Sequence, residues 1–189
     1  MAGDILVDGV PVGTVDDGSG NDTRAINVNV AADGVSDGYG GAPVTVTRPA
    51  NTTPYNAGDV VGGAITFPNM GPSAGRIMLT SVSLEIDIAA IPSGMTTFTL
   101  HLYNVTPPSA LADNAVFDLP SGDHASYLGN FSLGAPVDLG ATLYVNTFQV
   151  NKQLLLAGTS LFGYLVTVGG FTPAANSEVY KLTLNAVAL

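Results

Sequence analysis

Chemistry that moves protons or activates a nucleophile needs titratable groups that converge. This chain has two histidines, His101 and His124, and no cysteine, so thiol nucleophiles, thiolate zinc sites and disulfides are all excluded. Serines and acids are plentiful, but no G-x-S-x-G elbow is present. His101 occupies a polar position of an alternating segment, which predicts a surface or cross-strand contact. His124, in Ser121-Gly122-Asp123-His124, falls in a loop where Asp123 could tune its pKa. Neighbours in sequence, however, rarely converge on one substrate atom. Glu85 and Asp87 share one side of a strand and could bind a cation, but two carboxylates do not complete a calcium shell of about six to eight oxygens. Like charges on an open face are ordinarily solvated. The run Asp16-Asp17-Gly18-Ser19-Gly20-Asn21-Asp22 has better donors, yet it lacks the closing bidentate Glu of an EF-hand and reads as a flexible acidic loop. Gly62-Gly63 and Gly169-Gly170 carry no P-loop Lys-Ser/Thr ending and predict bulges or turns. With no Trp and 7% aromatics, a sugar-stacking platform is weak. Tyr39, Tyr55, Tyr103 and Tyr127 read as rim packing or oligomer contacts. The expectation is therefore no catalytic residue, no metal and no cofactor. The one enzymatic alternative is a glycoside-acting sandwich using Glu85, Asp87 or Glu178, for which only the first two are predictably close.

The elements that would position these groups are strands. In Val82-Ser83-Leu84-Glu85-Ile86-Asp87-Ile88 every second residue is apolar, the pattern of a strand that faces core and water in turn. Phe98, Leu100 and Leu102 alternate with Thr97, Thr99, His101 and Tyr103, and AAIPSGM joins the two segments as a hairpin. Further strands are predicted at Val44 to Arg48, Asp59 to Phe67, around Phe131, Leu143 to Val150, Leu154 to Leu156, Ser160 to Val168 and Val179 to about Val187. The stretch SALADNAVFDLPSGDHASYL has no clean alternation and room for a short helical turn. About eight strands with turn chemistry between them, and no amphipathic helix, predict an all-β fold: an antiparallel two-sheet sandwich of jelly-roll type, with an immunoglobulin-like sandwich as the alternative.

Residues 1–41 differ from the rest. They hold Asp4, Asp8, Asp16, Asp17, Asp22, Asp33 and Asp37, seven of the fifteen acids, against one base, Arg24. Their apolar runs, Ile5 to Val7 and Ile26 to Val30, are too small to make a core. This predicts an extended acidic, Gly-rich N-terminal arm over 1–41, a linker at Asp33 to Pro43, and a sandwich domain over 42–189. Only 11% of the 189 residues are charged, below the roughly 25% of soluble domains, which suits a surface partly covered by other chains. A net charge of −10 argues against nucleic acid, whose phosphates require clustered Lys and Arg. No signal peptide or membrane-spanning run is apparent, so synthesis in a cytoplasm and no membrane partner are expected.

The segments FTLHLYN (Phe98 to Asn104), ALADNAVFDLPSGDHASYLGNFSLG, VDLGATLYVNTFQVNKQLLLAGTSLFGYLVT and YKLTLNAVAL, with an opening from Val46 to Gly62, span most of residues 43–189. They resemble virion structural proteins of tailed bacteriophages and prophages. Capsid decoration, or cement, proteins are the nearest type. That resemblance implies a jelly-roll module with an arm, binding the major capsid protein on the capsid surface, as a homotrimer. A tail or head fibre module that binds host glycan is the alternative. No residue role carries over from the family. Arg24, Ile26, Val28 and Val30 are the expected capsid-contact residues of the arm, being its only base and its densest alternating apolar run.

Overall fold

The structure, a computed structural model, describes residues 38–189 and two short strands, β1 (Leu6–Val7) and β2 (Val10–Pro11), which pair antiparallel with each other. Arg24, Ile26, Val28 and Val30 lie outside the described residues. Ser36–Leu189 is one compact unit. Its strands are β3 (Gly38–Gly40), β4 (Val44–Thr47), β5 (Val60–Phe67), β6 (Arg76–Ile86), β7 (Phe98–Tyr103), β8 (Tyr127–Ser132), β9 (Val137–Asp138), β10 (Leu143–Leu155), β11 (Leu161–Thr167) and β12 (Val179–Ala188).

Every pairing is antiparallel. One sheet runs β3-β12-β6-β10-β9, with β4 also on β12, and the other runs β5-β11-β7-β8. The pairs β4·β12, β5·β11, β6·β10 and β7·β8 are nested in sequence, as in a long hairpin rolled up so that its successive rungs alternate between sheets. That is the jelly-roll order, and it closes a sandwich. Val82, Leu84 and Ile86 of β6 and Tyr180, Leu182 and Leu184 of β12 share one buried cluster with Ile65 and Phe67 of β5, Phe98, Leu100 and Leu102 of β7, and Leu161 and Leu165 of β11. The alternation in the sequence is thus the alternation between this core and the outer faces.

Two local features differ from the sequence expectation, and a third stretch takes a form that the sequence left open. Gly38–Gly40, inside the predicted linker and arm, pairs with Asn185–Val187 of β12. Its glycines serve close approach rather than freedom: Gly40 has φ 79°, and a Cβ there would lie 2.1 Å from the Leu184 carbonyl oxygen. Leu143 to Leu155 is one strand, not two. A bulge between Phe148 and Lys152, with positive φ at Gln149 and Asn151, interrupts the alternation without ending the pairing to β6. The stretch from Asn104 to Ser126 contains no helix. It is a strap across the four-stranded sheet, pinned to the outer edge of β5 by Val60 N–H to Ala115 O (2.8 Å), Asn114 N–H to Val60 O (2.8 Å) and Phe117 N–H to Gly58 O (2.8 Å). From Asn114 to Phe117 the backbone groups are spent on that edge, and Pro107 and Pro108 supply no N–H. The room left for a helical turn is used further on, where Asp123 O accepts from Ser126 N–H and Tyr127 N–H, both at 3.1 Å.

Candidate interaction surface

A sandwich has two outer faces, and here they are treated differently. On the four-stranded sheet, the outward residues Tyr103, Tyr164, Val60 and Val166 form a second buried cluster, completed by Leu111, Phe117 and Leu119 of the strap. The strap's polar groups are anchored to the sheet. Tyr164 donates its hydroxyl to Ser109 O (2.5 Å) and accepts from Leu111 N–H (3.2 Å). Asp113 accepts from the Tyr55 hydroxyl (2.5 Å) and from Gly62 N–H (2.7 Å), and Tyr55 in turn accepts from Arg48 Nε. Burial, and then the hydrogen bond to the Asp113 carboxylate, push the Tyr55 phenol above its usual range. Asp123 accepts from Ser109 N–H and hydroxyl, both at 3.3 Å.

His101 does not lie on an open surface, because the strap covers that face. It is 9% exposed, its ring centroid lies 3.8 Å from that of Phe117, and Nδ1 is 3.0 Å from the Tyr127 hydroxyl on β8. Burial lowers its pKa to about 4, so it is neutral near pH 7 and packs as an aromatic. His124 is exposed in a turn and touches Leu119 O at 3.2 Å. Tyr55 and Tyr103, read from sequence as rim residues, are core: 2% and 0% exposed. Tyr39 and Tyr127 are half-buried.

Of the carboxylates of the enzymatic alternative, Glu178 holds a structural post and the other two lie on or beside an outer face. Glu178 is buried and accepts from Ala174 N–H (2.5 Å), Ala175 N–H (3.0 Å) and the Tyr180 hydroxyl (3.1 Å), which fixes the turn entering β12. Glu85 lies on an outer face 3.8 Å from Lys181, both about half exposed. Asp87 is exposed just beyond the end of β6. Among the described residues no three His, Asp or Glu side chains group as a metal site. Gly62 and Gly63 form the expected bulge, with φ 75° and 95°, where β5 slips against β11.

Among the described residues, no strap crosses the outer face of the six-stranded sheet. Register places its outward residues in rows: Thr45, Lys181, Glu85, Tyr144 and Val137 in one, Thr183, Ser83 and Asn146 in the next, then Asn185, Ser81 and Phe148. The β12 and β6 columns are polar, tied by the Lys181–Glu85 pair and by Asn185 Nδ2 donating to Ser81 Oγ (3.0 Å). The β10 and β9 columns are not. Val137 and Phe148 are 59% and 70% exposed, Leu139 in the following turn is 64% exposed, and Tyr144 is half-buried between the two strands' outward residues. β9 covers β10 only at Leu143 and Tyr144. Beyond them β10 pairs with β6 alone among the described residues, leaving its other edge open for backbone pairing. Val137 and Tyr144 are neighbours across β9 and β10, and Phe148 stands four residues further along β10, roughly 13 Å away, so the apolar groups are strung along one margin of a polar face beside that edge.

Sequence reasoning did not single out Val137, Leu139, Tyr144 and Phe148. The signal was there, in the alternation of Tyr144, Asn146 and Phe148 against Leu143 and Val145, but the sequence does not say which set faces the core when both contain apolar residues.

No protein-family model matches the chain, and no curated protein sequence matches it. Among solved structures it is similar to a chain of "Israeli acute paralysis virus heated to 63 degree - full particle", at 12% identity, over 99% of this chain and 83% of that one, with a TM-score of 0.30. A likeness at that level carries no functional argument, and the surface is read from its own residues.

Proposed function

We propose that this chain is a non-catalytic virion structural protein, a capsid decoration or cement protein that binds the major capsid protein and stabilises the shell. The observation that carries the reading is the exposed apolar margin of Val137, Leu139, Tyr144 and Phe148 beside an open strand edge, on a jelly roll whose other outer face is already covered. The phage resemblance of its sequence and its sparse charge favour the same role.

Magnitudes bear on how it would attach. Val137, Leu139 and Phe148 are 59%, 64% and 70% exposed, so burying what is still exposed contributes about 1–2 kcal/mol each, or roughly 3–6 together. Association loses an estimated 4–15 kcal/mol of translational and rotational freedom. One patch on one copy is therefore marginal, and a homotrimer, or the patch acting together with the acidic segment that precedes β3, would raise occupancy through effective concentration. Phe148→Asp should reduce binding to undecorated capsids at least tenfold while leaving the fold intact, since that side chain contributes little to the core. Undiminished occupancy would remove the patch as the attachment surface.

A further inference from the structure

A groove of about 380 Å³ opens at one end of the sandwich, between the residues that follow β7 (Asn104, Val105, Thr106) and the turn entering β11 (Ala157 to Ser160), with Phe162 on its wall. Both sides are held in place by backbone hydrogen bonds: Asn104 N–H to Ser126 O (3.0 Å), Met70 N–H to Thr159 O (2.7 Å) and Ala74 N–H to Gly158 O (3.3 Å). The groove is therefore built before any ligand arrives, as small-molecule sites usually are.

Its lining is chemically selective. No Asp, Glu, Lys, Arg or His is among the eight lining residues, in a chain of net charge −10. An ion, a phosphate or a metal finds no charged partner there. Its lining includes Phe162, half-buried and packed on the second cluster, together with Asn104, Thr106, Thr159 and Ser160. Among the described residues none of those four side chains is engaged in a hydrogen bond to a protein group. An apolar ring beside neutral groups that both donate and accept matches a molecule with a C–H face and hydroxyl edges. The volume lies at the low end of the range for ligand pockets, the size of one or two sugar rings.

We infer that this groove is a binding site for a neutral saccharide unit, resting on the Phe162 ring with its hydroxyls directed to Asn104, Thr106, Thr159 and Ser160. This activity goes beyond attachment to a shell and uses a different part of the fold, so either can fail without the other. An open groove of this size implies weak binding, with Kd on the order of 1 mM.

The test is saturation-transfer difference NMR on the full chain with glucose, galactose, N-acetylglucosamine and their disaccharides, and with sialic acid as a charged comparator. At least one neutral sugar is expected to receive saturation on its ring protons, and sialic acid less. Phe162→Ala should abolish the effect. Because Phe162 also packs inward, Asn104→Ala and exposed Thr159→Ala are the variants that keep the fold, and each should weaken binding roughly threefold to tenfold. Asn104→Ala should leave capsid occupancy unchanged, which separates this site from the attachment surface. Absence of transfer to every neutral sugar, equal transfer in Phe162→Ala and Asn104→Ala, or stronger transfer to sialic acid would each overturn the inference.

Discussion

Asp113 is where the strap is fastened, and its removal has a calculable effect. The carboxylate accepts one hydrogen bond from the Tyr55 hydroxyl and one from Gly62 N–H. Tyr55 is 2% exposed, so Asp113→Ala leaves its hydroxyl without its acceptor inside the protein, and Gly62 loses its partner at a bulge. Hydrogen bonds to charged acceptors contribute about 1.5–3 kcal/mol each. Asp113 is itself half-buried, which places the pair near the low end, at about 3 kcal/mol. For a chain of this length that corresponds to a Tm lower by roughly 6–12 °C. Asp113→Asn keeps an acceptor oxygen but not the charge, and should lose only about 1 kcal/mol. Urea denaturation of both variants reads the magnitudes, and limited chymotrypsin digestion reads the place, since a loosened strap exposes Phe117. If Asp113→Ala matched the wild type within 0.5 kcal/mol, or if cleavage at Phe117 did not accelerate, the strap would not depend on this contact.

His101 makes stability pH-dependent. Its pKa is near 6.5 in the unfolded chain and about 4 in the folded one, so between those values the unfolded state binds the additional proton. The contribution is fully present above pH 6.5 and is lost as pH falls towards 4, a change of about 2–3 kcal/mol. His101→Gln should lack that component, visible as a smaller drop in urea midpoint between pH 7 and pH 4.5 than in the wild type. Gly62→Ala should destabilise by about 3 kcal/mol or more: φ is 75°, and the new Cβ would fall 2.0 Å from Val46 Cγ1. A thermal melt within 2 °C of the wild type would contradict the close packing of β4 on β5. Glu85→Gln removes one partner of an exposed pair at 3.8 Å and should change stability by less than about 0.5 kcal/mol. A larger loss by urea titration would assign Glu85 a role that its place on the open face does not explain.

The jelly roll was legible because its core strands alternate without interruption: Val82 to Ile86 and Tyr180 to Leu184 show their inward residues directly. The strap was not. Tyr103 and His101 occupy positions that would face water in a bare sheet, and only the return of residues 104–126 across that face buries them. Such burial depends on a long-range fold of an irregular segment, which has no periodic signature. The glycines of Gly38–Gly40 misled for a related reason. Glycine density marks both a free backbone and a backbone pressed against a neighbour, and only the pairing with β12 distinguishes them. The apolar margin at Val137 and Phe148 was hidden by β10 itself, whose two faces both carry apolar residues and whose bulge at Gln149 to Asn151 breaks the register midway.

The measurement that bears most directly on the proposed role is imaging of the particle at side-chain resolution. The account predicts this chain on the capsid lattice, with Val137, Leu139, Tyr144 and Phe148 buried against the major capsid protein. A chain absent from that lattice, or bound there with those four side chains facing solvent, would contradict it.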